Sequence, residues 1–350
     1  MNRIDTTERF SSATGIMSVA LLATATILLS PACVRAQDAA AFYRGKTISV
    51  TAGFAPGGGA DTYARLVARH LGRHVAGNPN IVVRNMQGAG SVIAANHVYN
   101  VAAGDGTELG LFAGNIVVDP IIGGTQQRYD ARKFNWIGAP TTETTVCVSS
   151  QKSPFKTIDD AIKREMVLGA AGTSTLDFPL LMNSVIGTKF KIIKGYGGSA
   201  ALRLALERGE IEGFCGVGYY SLKTAGLSAD NVNLLVQVGP ARNPEMPNVP
   251  FVGDYAKSEA DRQLFRLVFG WLAFERPIAT PPGVPAERVQ ELRAGFDVAM
   301  IDPALLADAA KISLRIDPLG GAAIAAFIED VSHTPAEVAA RAATILGRAK

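Results

Sequence analysis

The stretch that joins the first predicted strand to the first predicted helix reads FAPGGGAD over residues 54–61. Thr47–Phe54 has the composition of a buried strand, and Ala60–Val75 carries apolar residues at helical spacing. The three glycines, Gly57–Gly59, permit a sharp turn and leave backbone N–H groups uncovered. Because the helix directs the positive end of its dipole at this turn, a small anion can bind there without a basic side chain. The stretch therefore predicts an anion-binding turn, with a tight turn that binds no ligand as the alternative.

The turn differs from the glycine-rich turns that bind nucleotides. No lysine follows the glycines, which excludes a P-loop, and the pattern does not extend to GxGxxG. Asp61 has two interpretations: a base, or a cap at the helix start, where a negative side chain is favoured. We include it among the candidate ligand-binding residues.

Strand and helix patterns alternate along the rest of the chain and restart after Pro140, which predicts an α/β fold with mainly parallel sheets and flanking helices. The predicted strands are Thr47–Phe54, Ile81–Arg84, Glu108–Phe112, Thr145–Ser149, Met166–Ala170, Lys191–Lys194, Ile211–Phe214, Asn233–Val238 and Leu267–Phe274. The predicted helices are Ala60–Val75, Ser91–Val101, Ile158–Arg164, Leu176–Ile186, Ala200–Arg208, Pro285–Met300, Pro303–Lys311, Ala322–Val331 and Pro335–Arg348.

The distribution of these patterns predicts two lobes. The C-terminal region has too few strands for an α/β domain of its own, so we expect it to pack onto the first sheet. Residues 37–140 and 255–350 would then form lobe 1, and residues 141–254 would form lobe 2. The chain would cross between the lobes twice, which makes the cleft between them a natural hinge-closing binding site.

The composition indicates a globular protein without affinity for polyanions. The chain has 350 residues, of which 48% are hydrophobic and 19% charged, enough for one or two well-packed domains. The formal net charge is only +3 and no block rich in Lys or Arg occurs. We therefore exclude nucleic acid and anionic membrane surfaces as partners.

Residues 1–36 are predicted to be a cleaved signal peptide. Arg3 and Arg9 precede an apolar run from Ile16 to Leu29, and Val34-Arg35-Ala36 supplies small residues at the usual cleavage spacing. The apolar run is shorter than the roughly 20 residues of a spanning helix, which disfavours the alternative of a membrane anchor. We expect a periplasmic protein that begins near Gln37.

Two cysteines remain after this cleavage, because Cys33 is removed with the leader. An oxidising compartment permits a disulfide between Cys147 and Cys215, yet a domain of this size does not need one. The simpler interpretation is that both cysteines are buried free thiols, and we favour it.

Four further turns follow predicted strands, where ligands bind in open α/β sheets. Each of them alone is typical of a helix N-cap, but two lie in each predicted lobe. They are Gly88-Ala89-Gly90-Ser91, Ala113-Gly114-Asn115, Gly172-Thr173-Ser174 and Gly197-Gly198-Ser199.

Catalytic and metal-binding patterns are missing from the sequence. There is no GxSxG, no HExxH and no cysteine with an evident histidine partner. His70 and His74 are spaced for a metal site on a helix, but Arg69 and Arg73 beside them indicate an exposed basic face. We therefore predict no enzyme activity, no metal and no cofactor.

The glycine turn and the residues after it resemble a known signature. Pro56–Asp61 with Ala64-Arg65 is similar to the P-G-G-x-x-D-x-x-A-R pattern of Bug-type proteins, the substrate-binding components of tripartite tricarboxylate transporters. Further similarities occur in family order and cover nearly the whole mature chain. They are Asn85, Gly88-Ala89-Gly90, Asp105-Gly106-Thr107, Gly195–Ser199, Glu207–Glu210 and Pro281–Pro285.

This resemblance implies a two-lobed periplasmic-binding-protein fold of type II, the Venus flytrap, acting as a monomer. It implies a small carboxylate ligand, held by main-chain N–H groups and bridging waters and delivered to the large and small membrane subunits of a transporter. An alternative is a sensing protein that presents its closed form to a membrane sensor. Ser91 stands where the family usually has a second glycine, and Asp177 lies in a segment where many relatives have histidine. The candidate ligand-binding residues are Gly57, Gly58, Gly59, Asp61, Gly90, Ser91, Gly114, Asn115, Gly172, Thr173, Ser174, Gly198 and Ser199.

Overall fold

The computed structural model describes residues 39–349 apart from 125, 225 and 228–230. The predicted signal peptide, residues 1–36, lies outside the described residues. Within them, no helix combines the length and the apolar character that crossing a membrane requires.

Helices and strands alternate along most of the described chain as the sequence patterns predict, and the structure adds strands over Asn135–Ala139, Ile278–Thr280 and Leu319–Gly320 and helices over Tyr219–Thr224 and Glu259–Phe269 that were not predicted. The strands are β1 (Thr47–Ala52), β2 (Asn80–Asn85), β3 (Glu108–Leu111), β4 (Asn135–Ala139), β5 (Thr145–Ser150), β6 (Met166–Ala170), β7 (Phe190–Lys194), β8 (Gly213–Gly218), β9 (Val232–Val238), β10 (Ile278–Thr280) and β11 (Leu319–Gly320). The helices are α1 (Gly59–Leu71), α2 (Val92–Asn100), α3 (Ile158–Lys163), α4 (Thr173–Val185), α5 (Ser199–Glu207), α6 (Tyr219–Thr224), α7 (Glu259–Phe269), α8 (Ala286–Met300), α9 (Pro303–Lys311), α10 (Gly321–Ser332) and α11 (Ala336–Ile345).

The strands form two sheets, and both sheets are mixed rather than mainly parallel. The first has the order β11-β4-β10-β3-β1-β2, and the second has the order β7-β6-β8-β5-β9. In the first sheet β1 pairs in parallel with β2 and β3, and in the second β6 pairs in parallel with β7 and β8. These strands are joined through crossover helices, as parallel neighbours require. The remaining pairs are antiparallel. They are β10 with β3 and β4, β11 with β4, and β5 with β8 and β9.

The predicted strand over Leu267–Phe274 is wrong. The segment continues α7 to Phe269 and then forms a 3-10 turn over Gly270–Phe274. Helix α7 begins after Ser258, whose hydroxyl accepts a hydrogen bond from the Asp261 amide and caps the helix. The end of α7 and the turn after it are buried on several sides, so nearly all of their residues are apolar. The alternation of apolar and polar residues that would have indicated a helix is therefore absent from this segment.

Cys147 and Cys215 form a disulfide, contrary to the two buried thiols that we favoured. Between the pairs Val146–Val217 and Val148–Phe214, a bulge sets one residue of β5 opposite two of β8. Gly216 takes a left-handed conformation in this bulge, with φ of +72°. The two cysteines are thereby brought side by side across neighbouring strands.

The largest hydrophobic cluster includes residues from both sheets. The Phe178 ring on α4 meets Phe269 edge to face, with ring centroids 4.8 Å apart, and lies 6.1 Å from Trp271. Helix α4, which covers the second sheet, therefore also packs on the segment that returns to the first sheet. Trp271 and Leu272 of the Gly270–Phe274 turn line a cavity between elements of the two sheets.

Candidate functional site

Two adjacent cavities lie between elements of the two sheets and share Glu143, Ser221 and Arg276 in their walls. The larger has a volume of about 360 Å³ and the smaller about 270 Å³. We call the two together the cleft. Most of its wall comes from turns and helix starts rather than from the flat faces of the sheets.

The glycine turn reaches the larger cavity through Gly59, the first residue of α1. Gly58 is the exposed N-cap of this helix, and no side chain caps it. Gly57 instead lines a separate pocket together with Arg65. The three glycines that the sequence presents as one unit thus face different surroundings.

Asp61 is buried and its carboxylate is engaged within the turn. It accepts hydrogen bonds from the Gly57 amide at 2.8 Å, from Asn85 Nδ2 at 2.7 Å and from Arg65 Nε at 2.9 Å. Burial by itself would raise the pKa of Asp61, but these hydrogen bonds outweigh it and hold the pKa below its ordinary value. Asp61 is therefore an ionised brace that shapes the glycine turn.

Ser91 links the ends of two strands of the first sheet. Its hydroxyl donates to the Gly53 carbonyl at 3.0 Å and accepts from the Ala113 amide at 3.1 Å. Gly90 lies beside Asn115, since a Cβ added at Gly90 would lie 3.8 Å from Asn115 Nδ2. Neither Ser91 nor Gly90 is among the residues that line the cleft.

The Gly270–Phe274 turn covers the candidate residues Gly114 and Asn115. The Gly114 amide donates to the Glu275 carbonyl at 3.1 Å, and a Cβ added at Gly114 would lie 2.8 Å from the Trp271 ring. Asn115 Nδ2 donates to Asp119 Oδ2 at 2.7 Å, so the side-chain amide is hydrogen-bonded within the protein. Trp271, and not these two residues, presents a surface to the smaller cavity.

The two turns predicted in lobe 2 do meet, in the wall of the smaller cavity. Gly172 and Ser174 line it from the start of α4, and Gly198 and Ser199 line it from the start of α5. The Ser174 hydroxyl donates to the Gly216 carbonyl at 2.9 Å, which joins the first of these turns to the β8 bulge. Thr173 is exposed next to them.

Three helix N-termini supply uncovered amide groups to the cleft. Gly58, Gly172 and Gly198 occupy the N-cap positions of α1, α4 and α5 and have no side chain to cap them, although the Gly172 amide itself donates to Thr175 Oγ1 at 2.9 Å. The first N–H groups of a helix have no partner within the helix, and the dipole adds roughly half a positive charge there. The arrangement offers amides to an anionic group at the start of α1 in the larger cavity and at the starts of α4 and α5 in the smaller one.

The cleft also contains a group of charged residues that were not predicted from the sequence. Arg276 Nη1 lies 2.8 Å from Glu275 Oε2, and the guanidinium stacks 4.6 Å from the centroid of the Tyr63 ring. Burial raises the pKa of Glu143 to about 7; the charge of Glu275 adds to this rise, while Arg276 and Arg315 oppose it. The signals in the sequence were weak: one acid within the threonines 141–145, and one charge pair after an apolar run.

A series of hydrogen bonds links residues in the wall of the larger cavity. Arg315 Nη1 donates to Tyr220 Oη at 2.6 Å, and Tyr63 Oη donates to the Arg315 carbonyl at 2.7 Å. Tyr220 belongs to α6, which follows β8 of the second sheet, and its hydroxyl donates to Glu245 Oε1 at 2.7 Å. Tyr63, Tyr220 and Arg315 all line the larger cavity, so these hydrogen bonds connect parts of its wall.

His70 and His74 face acids of the C-terminal region. Their Nε2 atoms lie 3.1 Å from Asp308 Oδ2 and 2.6 Å from Asp302 Oδ2, respectively. Among the residues that the structure describes, no group of three or more His, Cys, Asp or Glu side chains is arranged to hold a metal ion.

Most of the chain is similar in sequence to known proteins. The family model described as "Tripartite tricarboxylate transporter family receptor" matches residues 63–335. A protein from Agrobacterium vitis, described as "UPF0065 protein in the TAR-I ttuE-ttuC' intergenic region", is 25% identical over 291 residues, which cover 81% of this chain and 79% of that protein.

Solved structures show the same fold at low sequence identity. A TctC solute binding protein from Polaromonas, solved without ligand, has a TM-score of 0.67 and 20% identity and covers 87% of this chain and 99% of its own. An R. palustris protein solved with adipate has a TM-score of 0.62 and 18% identity and covers 85% and 97%, respectively. These likenesses confirm the two-lobed α/β fold of periplasmic binding proteins. Since the family model matches well over half of the sequence, the chain belongs to the receptors of the tripartite tricarboxylate transporter family.

Proposed function

We propose that the protein is exported by the segment 1–36, captures a small organic acid in the cleft and delivers it to a tripartite membrane transporter. The observation that carries this proposal is the set of three glycine-capped helix N-termini, α1 from one side and α4 and α5 from the other. A carboxylate bound between them gains hydrogen bonds from both sides at once. Binding would therefore favour the closed arrangement of the lobes.

We infer a division of labour among the candidate residues. The direct contacts would be Gly59, Gly172, Ser174, Gly198 and Ser199, because they line the cleft. Asp61, Ser91 and Asn115 would position the turns, because their polar groups are engaged within the framework. The lobe boundaries at residues 140 and 254 are part of the same proposal.

A thermal-shift screen of the refolded mature protein against carboxylic acids tests the proposal. Aliphatic di- and tricarboxylates, amino acids and aromatic acids form the panel, and isothermal titration follows each positive shift. A ligand at a hundredfold excess over its dissociation constant should raise stability by about 2.7 kcal/mol. The absence of any shift after refolding, which removes co-purified ligand, would refute carboxylate capture.

Two further measurements test delivery and the absence of catalysis. Cells that lack the protein should take up the identified acid more slowly, and expression of the full-length chain should restore uptake. After incubation with the protein the acid should be recovered unchanged. Normal uptake without the protein would remove the transport role, and a changed acid would show that the protein is an enzyme.

A further inference from the structure

Glu143 presents an unpartnered carboxylate oxygen to the cleft. The residue keeps only 8% of its surface exposed and lines both cavities. Its Oε1 accepts a hydrogen bond from the Thr144 amide at 3.1 Å, and among the described residues no donor is found for Oε2. The carboxylate lies close against Gly218 at the end of β8, since a Cβ added there would lie 2.6 Å from Oε2.

The charged groups around Glu143 leave its negative charge in excess. Those that face it are Glu275, Arg276 and Arg315. Arg276 lies against Glu275, and Arg315 Nη2 lies 3.1 Å from Asp317 Oδ2, so each guanidinium already has a carboxylate. A buried charge without a partner of its own is unfavourable, which agrees with the raised pKa of Glu143.

We propose that Glu143 binds the protonated amine of the ligand, so that the captured acid is an amino acid. This inference rests on the proposed function, because the carboxylate of the same ligand would occupy the helix N-termini. Glu143 shares the smaller cavity with Gly172, Ser174, Gly198 and Ser199, which places the two kinds of recognition within one small molecule. An ammonium group would donate to Oε2 and neutralise the excess charge.

The opposing interpretation is that Glu143 is protonated and donates to a second carboxylate. It predicts a preference for diacids over amino acids. The two interpretations therefore predict opposite preferences: tighter binding of the amino acid, or tighter binding of the acid without the amino group. Pairs of ligands that differ only in the amino group can measure this preference.

The experiment is isothermal titration at neutral pH with matched pairs: glutamate and glutarate, aspartate and succinate, alanine and propionate, phenylalanine and 3-phenylpropionate. In the pair that binds most tightly, the amino acid should bind about tenfold or more tightly than its deaminated partner. Glu143→Gln should abolish this preference. Glu165→Gln, a matched change of an exposed glutamate, should keep it.

Each outcome decides the inference. Equal affinity within the pairs, or tighter binding of the deaminated acids, overturns the amine subsite while leaving carboxylate capture intact. An unchanged preference in folded Glu143→Gln also overturns it. If no carboxylic acid binds, the proposed function itself fails and the inference fails with it. The comparison on the wild-type protein decides the matter even if the variant does not fold.

Discussion

At the residue scale, the three adjacent glycines have different physical requirements. Gly57 has φ of +79°, a left-handed conformation that favours glycine. Gly58 has φ of −80°, and a Cβ there would lie 3.7 Å from the Ala55 carbonyl, an ordinary contact. Gly59 has open space where its side chain would be, and that space belongs to the cleft. Of the three glycines, only Gly59 lines the cleft.

Gly59→Val should weaken ligand binding about tenfold or more, because the branched side chain would fill part of the larger cavity. The free energy of unfolding should change by less than about 1 kcal/mol, the scale of helix propensity. Isothermal titration and urea unfolding measure the two quantities. Gly59→Ala adds a single methyl group at the same position and should cost less affinity; equal losses in both variants would contradict steric filling of the cavity as the cause.

Glu143 should make stability depend on pH in a defined window. Burial raises its pKa from 4.5 to about 7, so the folded protein keeps a proton that the unfolded chain releases between these values. The free energy of unfolding should therefore decrease as pH rises through this window, by on the order of 3 kcal/mol from this group. Glu143→Gln removes the contribution. Urea unfolding of both proteins across the window gives the difference, and a difference that stays constant with pH would contradict the shift.

At the element scale, the β8 bulge connects the disulfide with the binding turns. Gly216 sits in the bulge, and a Cβ there would lie 2.4 Å from the Ser174 carbonyl. The same bulge sets Cys215 beside Cys147. A local irregularity in one strand thus aligns the start of α4 with the cleft and brings the two cysteines together.

Reduction of the disulfide should lower the free energy of unfolding by about 2–4 kcal/mol, because the bond constrains the unfolded chain across a separation of 68 residues. Urea unfolding with and without reductant measures this loss. The double variant Cys147→Ala with Cys215→Ala should match the reduced protein and should not respond to reductant. A peptide map without reductant that shows two free thiols would contradict the bond.

At the scale of the whole molecule, Arg348 joins elements of both sheets from the C-terminal end of the described chain. Its guanidinium lies 2.8 Å from Asp119 Oδ1 and 2.5 Å from Asp177 Oδ2. Asp119 also accepts from Asn115, whereas Asp177 lies on α4, one turn beyond the start of that helix. Burial raises the pKa of Asp177 to about 6, with Arg348 opposing the rise and Asp119 adding to it. One cation therefore pairs with two buried carboxylates, one in the turn that follows β3 of the first sheet and one on α4, which packs on the second sheet.

Arg348→Met should destabilise the protein by about 3 kcal/mol, because it leaves both carboxylates buried without a cation. Adding Asp177→Asn should recover part of the loss, since one of the two uncompensated charges is then removed. Chemical unfolding of the single and double variants measures the coupling. A loss below about 1 kcal/mol for Arg348→Met would show that the ion pairs of Arg348 with Asp119 and Asp177 contribute little to the stability of the protein.

The fold class, the family and the local geometry of the glycine turn could all be predicted from the order of residues along the chain. These follow from short-range physics: the periodicity of apolar residues, the conformational freedom of glycine and the succession of motifs. The turns at Gly172 and Gly198 were also found in this way, because each marks the end of a strand and the start of a helix.

Which of these turns face a common space depends instead on the folded arrangement. Gly114 and Asn115 follow a strand as the others do, yet the Gly270–Phe274 turn covers them. Glu143 and Arg276 are 133 positions apart by their numbering (276 − 143), and only folding makes them neighbours in one cleft. The bulge that pairs the cysteines likewise arises from the register between two strands. Contacts between segments that are distant in the sequence depend on how the elements pack. A local pattern of residues therefore cannot predict which segment will cover another.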